Sequence, residues 1–455
     1  MKIIDEGRLI GVLKQTDGAS NKEVEDILKK ALLLKGLRLE EAAVLLHIED
    51  IELLERLFAT AKRIKNEIYG KRLVFFAPLY ISNYCSNNCL YCGFRKDNRK
   101  MIRRELSIKE IREETRLILE QGHKRMLLLS GEKDDNFELI NPAIEAIYSV
   151  KDSKGNGIRR VNLEIAPLGR KQLREISKAR IGTYTVFQET YHRETYEQMH
   201  SGGRKADYER RLKIMDMALE NGLNDVGIGA LFGLYDYKFE VLALLQHASH
   251  LDAAYGIGPH TISVPRVKPA NNAPASIDIP KPVSDTDFKK LVAVLRVAVP
   301  YTGIILSTRE SMVLRSELFN LGISQISAGS RTSPGGYSGE EGEQFSLNDT
   351  RSTGEVIRDV INRGFVPSFC TGCYRLGRVG KDFMDLAKPG LIKAHCLPNA
   401  LTTLQEYLED YADSKTKEKG EALIERMMQN VPKGRKRKTE EYLNKIKKGA
   451  RDLYF

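Results

Sequence analysis

No run in this 455-residue chain is apolar over the roughly 18 residues that a membrane helix needs. LVFFAPLYI, broken by Pro78, is among the longest. A membrane-spanning class is therefore not expected. The start, MKIIDEGRLIGVLK, lacks an apolar segment ending in small residues, so nothing in it points to an oxidising compartment. Disulfides are accordingly not expected, and a cytoplasmic location is. Cysteine is sparse as well. There are six, Cys85, Cys89, Cys92, Cys370, Cys373 and Cys396, and none falls outside these two triplets. Each triplet is one thiolate short of the four that usually close an iron–sulfur cluster or a structural zinc site.

The first triplet reads CSNNCLYC, a CxxxCxxC spacing with an aromatic residue inside the last gap. A loop of that length wraps three corners of a cubane and leaves the fourth iron open to a ligand. This spacing resembles the signature of the radical S-adenosylmethionine (SAM) enzymes. The second triplet is CTGC, then 22 residues, then Cys396. It is again an incomplete set. Structural zinc with three thiolates and a histidine is the competing reading for either triplet alone.

Hydrophobic content of 42% and charged content of 29% describe a globular protein with ample core. Net charge is +11, but the excess is uneven: Lys433 to Arg451 holds nine Lys or Arg against Glu440 and Glu441. A solvated basic helix is the simple reading. Nucleic-acid binding would want interleaved aromatics, and only Tyr442 sits there. The tail could instead dock an acidic protein.

Residues 21–69 read as helices, with Val24, Ile27, Leu28, Ala31 and Leu32 on one stripe behind an Asn21 N-cap. From about residue 71 strand and helix patterns alternate. Ser107–Glu110 is a capping box opening a helix that stops at Gly122. The strands fall at 73–81, 126–130, 161–165, 183–187, 225–230, 261–264, 303–307 and 323–328. Helices are expected between them, among them 142–151 and 208–220. Eight such units predict an α/β fold, a closed (β/α)8 TIM-type barrel over residues 71–365. A helical segment (1–70) precedes it. A helical domain carrying the second triplet (366–455) follows. An open doubly wound sheet is the alternative. Residues 330–353, rich in Gly, Ser and charge, read as a long loop.

Catalytic groups of such barrels lie on loops after strand C-termini. The cysteines follow strand one there. Ser130-Gly131-Glu132 follows strand two, where bare backbone can approach an ammonium or carboxylate; behind CxxxCxxC it resembles the radical SAM motif that holds the methionine amino group. Glu164 ends strand three and suits ribose hydroxyls. Gln188 and Glu189 end strand four. Gly227 and Gly229 on strand five leave room for adenine or substrate. Arg309 and Ser327, past strands seven and eight, could clamp an amino-acid carboxylate. By resemblance to biotin- and thiamine-type radical SAM enzymes, Arg211 pairs the SAM carboxylate, with Arg210 as its rival. His260 stands just before strand six, on the opposite face. It is the candidate non-thiolate ligand of the second site, with His395 as the runner-up.

CSNNCLYCGF, FQETYH, GIGALFGLYDYKFEVL, GPHTISVPR, STRESMVLR, ISAGSRTSPGGY and CTGCYRLGR together resemble the tyrosine-lyase family of [FeFe]-hydrogenase maturases, from about residue 70 to 410. The CxxC…C element with its 22-residue spacer is the most specific part. The thiamine-pathway 2-iminoacetate synthases resemble the same barrel but lack that second triplet. The resemblance implies a [4Fe–4S] cluster on Cys85, Cys89 and Cys92 with SAM at its open iron. It further implies cleavage of free L-tyrosine to p-cresol and dehydroglycine. CO and cyanide then form at a second cluster on Cys370, Cys373 and Cys396, which carries an additional labile iron with His260 as a ligand. The product would be an iron–carbonyl–cyanide synthon for hydrogenase assembly. Implied partners are an electron donor such as a ferredoxin or flavodoxin and other hydrogenase maturation proteins. The two sites should lie at opposite ends of the barrel, joined by an internal channel. A metal-binding protein associated with nucleic acid is the reading from a different class.

Overall fold

The computed structural model describes residues 2–133 and 137–455. Eight parallel strands close on themselves: β1 (Arg72–Ser82), β2 (Arg125–Ser130), β3 (Arg160–Glu164), β4 (Ile181–Thr185), β5 (Val226–Gly229), β6 (Thr261–Ser263), β7 (Gly303–Leu306) and β8 (Gln325–Ser327). The order runs β2 to β8, returns to β1, and β1 pairs β2, so the sheet is a barrel and not an open sheet. Helices between the strands cover it. They are amphipathic for the reason the sequence suggests: Ile108–Glu120 buries Ile111, Thr115, Ile118 and Leu119 on one face behind the Ser107/Glu110 capping box. Among the described residues, no helix is long and apolar enough to cross a membrane.

Several boundaries differ from the sequence reading. The helix Asn21–Ala31 is capped by Ser20, whose side chain accepts from the Glu23 amide, and Asn21 is already helical. The helix after β2 is Phe137–Ser149, with Pro142 inside it and not at its start. The expected helix over 208–220 is two pieces, Tyr208–Leu212 and Ile214–Glu220, separated at Lys213. A further helix, Arg193–Met199, precedes them and is capped by His192.

The difference that matters most concerns residue 366 onward, expected to be a helical domain. It opens with a ninth strand, β9 (Val366–Ser368), which pairs the first residues of β1: Arg72 with Val366, Val74 with Ser368. On β1's other edge Val74 pairs Gln325 of β8. Only then does the chain turn helical, ending in Lys393–Asp410, Ser414–Met428 and Lys433–Lys447. The basic helix buries Thr439, Leu443 and Ile446, so the tail has an inner apolar seam beneath its charged face.

Candidate active site and second cysteine site

β1 supplies both ends of the functional architecture. Its C-terminal end, Ser82, runs into the first cysteine loop; its N-terminal end is laddered to β9, whose last residue lies two before Cys370. β9 ends at Ser368 opposite Val74, so at about 3.3 Å per residue roughly 26 Å of β1 backbone lies between the strand ends that lead into the two triplets. The two sites lie at opposite ends of one barrel.

The first cysteine loop is built by close backbone approach. Gly131 donates its amide to Ser82 O at 2.8 Å, and a Cβ there would fall 2.4 Å from Tyr84 O. Ser86 N donates to Glu132 O at 3.0 Å, and Asn87 Nδ2 to Glu132 Oε2 at 3.0 Å. The motif residues after β2 and the cysteine loop are thus one folded unit. On its other side the loop forms a bridge from Cys89 to His200, whose ring receives the Tyr91 hydroxyl at 2.8 Å.

Four charges meet beneath this loop. Arg211 Nη1 donates to Glu132 Oε1 at 2.9 Å, and Nη2 lies 3.6 Å from Glu189 Oε1. Lys205 Nζ reaches Glu189 Oε1 at 2.7 Å and Glu132 at 3.7 Å. Burial alone would raise Glu132, but the Arg211 and Lys205 charges prevail and hold it at about 2. Glu189 adopts φ 70°, a left-handed conformation that a glutamate rarely takes, with Leu231 N donating to its carbonyl. No motif marks Lys205 in the sequence, where it sits among ordinary surface-type residues, GGRKAD.

The large cavity of the barrel opens beside Cys92 and contains Glu164, Glu189, Lys205, Arg309, Ser327 and Gln325. Arg309 stacks 3.3 Å from the centre of the Phe345 ring, and burial depresses its basicity. Glu164 is pushed up to about 7, first by burial and then by the neighbouring Glu189 carboxylate. Residues 330–353 form the irregular loop expected, and fold over this mouth: Gln344 Nε2 donates to Cys92 Sγ at 3.5 Å while Tyr80 OH donates to Gln344 Oε1 at 2.8 Å. Ser130, Gly131 and Glu132 line a smaller adjoining cavity with Asn87, Arg204 and Arg210. Gln188 is buried and lines neither cavity. Gly227 and Gly229 also lie outside them. The space a Cβ would fill is taken by Thr185 and Thr261 hydroxyls at Gly227, and by the Phe187 ring at Gly229.

At the lower end Cys370, Cys373, Cys396, His260 and His395 line a third cavity with Arg72 and Arg125. Gly372 N donates to Cys370 Sγ at 3.3 Å. Tyr374 is clamped between the guanidinium groups of Arg160 and Arg125, 4.2 and 5.7 Å from its ring centre, and its hydroxyl meets Thr183 at 3.0 Å. Gln325 lines this cavity as well as the large one.

The residues present fit iron–sulfur clusters at both ends. All six cysteines are free. Burial pushes Cys85 and Cys92 up to about 11 and Cys89 to about 12, so these thiols ionise only when a cation takes the proton's place. N–H groups already reach Cys85, Cys92 and Cys370, as donors to cluster sulfurs do. At the lower end Arg72 and Arg125 oppose the same rise at Cys370. A structural zinc site of three thiolates and a histidine needs those side chains at one point, and no such convergence occurs among the described residues. Cubane thiolates bind separate irons and stand further apart.

Comparison with known proteins follows this geometry. Residues 79–248 match the Radical SAM superfamily and residues 263–366 the Biotin and Thiamin Synthesis associated domain. The chain is 31% identical to 2-iminoacetate synthase of Escherichia coli (strain K12) over 363 residues, covering 78% of this chain and 92% of that one. A crystal structure of HydG, a maturase of the [FeFe]-hydrogenase, superposes with TM-score 0.97 at 49% identity over 100% of both chains. HydG from Carboxydothermus hydrogenoformans superposes with TM-score 0.84 at 42% identity, covering 96% of this chain and 97% of that one. The barrel and its first cysteine loop define a radical SAM enzyme, a class that implies a [4Fe–4S] cluster and SAM. Within that superfamily the chain belongs to the HydG family of [FeFe]-hydrogenase maturases.

Proposed function

We propose that this chain is a SAM-dependent tyrosine lyase that makes CO and cyanide for the hydrogenase active site. The observation carrying this reading is the pair of incomplete cysteine triplets at opposite ends of one barrel, with Gln325 lining the cavities of both. When bound at Cys85, Cys89 and Cys92, cluster and SAM supply the radical that takes hydrogen from the tyrosine amine. Cleavage of the Cα–Cβ bond then gives dehydroglycine and a 4-hydroxybenzyl radical, which one electron from a low-potential donor and one proton convert to p-cresol.

The chain's own groups bind, orient and shield. Arg309 and Ser327 hold the tyrosine carboxylate, the arginine kept in place by the Phe345 ring. Ser130, Gly131, Glu132 and Arg211 hold the methionine end of SAM, and Lys205 pairs with Glu189 beside it. Glu164 faces the ribose. The role first given to Gly227 and Gly229 is one of packing, because neighbouring side chains fill their space. Gln344 and Phe345 close the mouth, so water is excluded from a species that any nearby C–H bond would quench.

At the lower end Cys370, Cys373 and Cys396 would hold the second cluster, and His260 its additional labile iron. That site would convert the fragment to CO and cyanide and release an iron–carbonyl–cyanide unit. Maturation partners and a low-potential electron donor follow from the same reading. The test is anaerobic turnover of the reconstituted protein with SAM and tyrosine. Release of p-cresol with CO and cyanide supports the proposal; p-cresol without either points to the 2-iminoacetate synthase type.

A further inference from the structure

The lower rim of the barrel contains a buried carboxylate that the proposed function does not use. Asp225 directly precedes β5, and His260 directly precedes β6. The ladder between these strands pairs Gly227 with Thr261, and His260 N donates to Val226 O at 2.9 Å. Register, not a loop, therefore delivers the two side chains to the same point. Asp225 Oδ2 lies 3.0 Å from His260 Nδ1. The carboxylate is 5% exposed, and neither oxygen has a well-aligned hydrogen-bond donor in this arrangement. A buried carboxylate without a hydrogen bond costs on the order of 1–3 kcal/mol or more, and the Arg160 guanidinium offsets that only through space, so its retention beside the imidazole needs a reason.

The His260 ring is fixed in other respects. Phe383 stacks on it at 4.2 Å with 28° between planes, and Tyr374 at 5.8 Å with 27°. Stacking sets the plane of the ring. It does not choose which nitrogen carries the proton. A carboxylate at Nδ1 makes that atom the donor and leaves Nε2 with its lone pair free. The ring belongs to the cavity that holds Cys370, Cys373 and Cys396.

We propose that Asp225 is the positioning residue for His260, holding the imidazole in the tautomer whose Nε2 binds iron at the lower site. The inference rests on the reading of His260 as a ligand of the labile iron. Asp225 acts through the ring and touches neither metal nor substrate. His395, the other histidine of the cavity, has no comparable partner: its Nδ1 is buried without a hydrogen bond.

The test uses protein reconstituted with both clusters, to which ferrous iron alone is added in competition with a chelator. Asp225→Ala weakens retention of the additional iron by about 10–100-fold, the usual effect of losing a carboxylate behind a histidine ligand. Formation of p-cresol stays at the parental rate. His260→Ala loses the additional iron, and the double variant loses no more than His260→Ala alone. Each of the following results overturns the proposal. Parental iron retention in Asp225→Ala, with His260→Ala impaired, removes the role of Asp225 and leaves the histidine ligand standing. Parental retention in His260→Ala removes the ligand reading and this inference with it. A further loss in the double variant means that Asp225 acts on the fold at large. Should Asp225→Ala also lose p-cresol formation, Asp225→Asn decides, because the amide keeps the volume and removes the charge. Weakened retention there with parental p-cresol supports the inference, and parental retention overturns it.

Discussion

A Cβ on Gly131 would lie 2.4 Å from the carbonyl oxygen of Tyr84, the residue before the first cysteine. No side chain fits there unless the backbone of one loop moves away from the other. Gly131→Ala should therefore weaken SAM binding about tenfold or more and destabilise the fold by roughly 1–3 kcal/mol. Equilibrium dialysis of SAM against the reconstituted variant measures the first effect. Parental affinity would show that the approach of these loops does not shape the site.

The two ends of the barrel should be separable by mutation. Cys89→Ala abolishes SAM cleavage and p-cresol together. Cys373→Ala keeps p-cresol and loses CO, because the triplets share no ligand. Release of CO at the parental rate from Cys373→Ala would remove the second site from the proposed function.

Glu164 carries a pH dependence. Burial and Glu189 raise it from 4.5 to about 7. Its contribution to stability is thus complete at low pH and is lost as pH rises toward 7, where the folded protein must hold a charge that the unfolded chain solvates freely. Glu164 is partly open to the cavity, which screens the effect. The stability advantage of Glu164→Gln over the parent should widen by about 1 kcal/mol between about pH 5.5 and pH 8. Denaturant titration at both values reads this; a constant gap contradicts it.

Gln325 stands between the two cavities. Gln325→Phe fills that position with a larger, apolar group. The expected result is unchanged p-cresol, CO reduced at least about tenfold, and the trapped imine appearing in solution as its hydrolysis product glyoxylate. Undiminished CO would mean that the fragment travels by another path.

Local patterns made the barrel legible. Each strand–helix unit announces itself within about twenty residues, and the cysteine spacings are short enough to read directly. Arg309, Ser327 and Glu164 could be placed because strand ends point to one face. What escaped reading depends on distance. Gln344 reaches Cys92 from a loop 252 residues further on, and no periodicity marks it. β9 is Val-Pro-Ser, too short to alternate and carrying a proline that argues against a strand. Asp225 reads as the first residue of strand five, where one more polar residue at a strand start has no visible partner. Its neighbour His260 is 35 positions away and meets it only through the β5–β6 register.

Tethering both cysteine sites to β1 has a kinetic corollary. On the proposed function, a fragment made at one site and consumed at the other would never have to find a second molecule. The ratio of CO to p-cresol should then be independent of enzyme dilution, and an added scavenger too large to enter the barrel should not intercept the traffic.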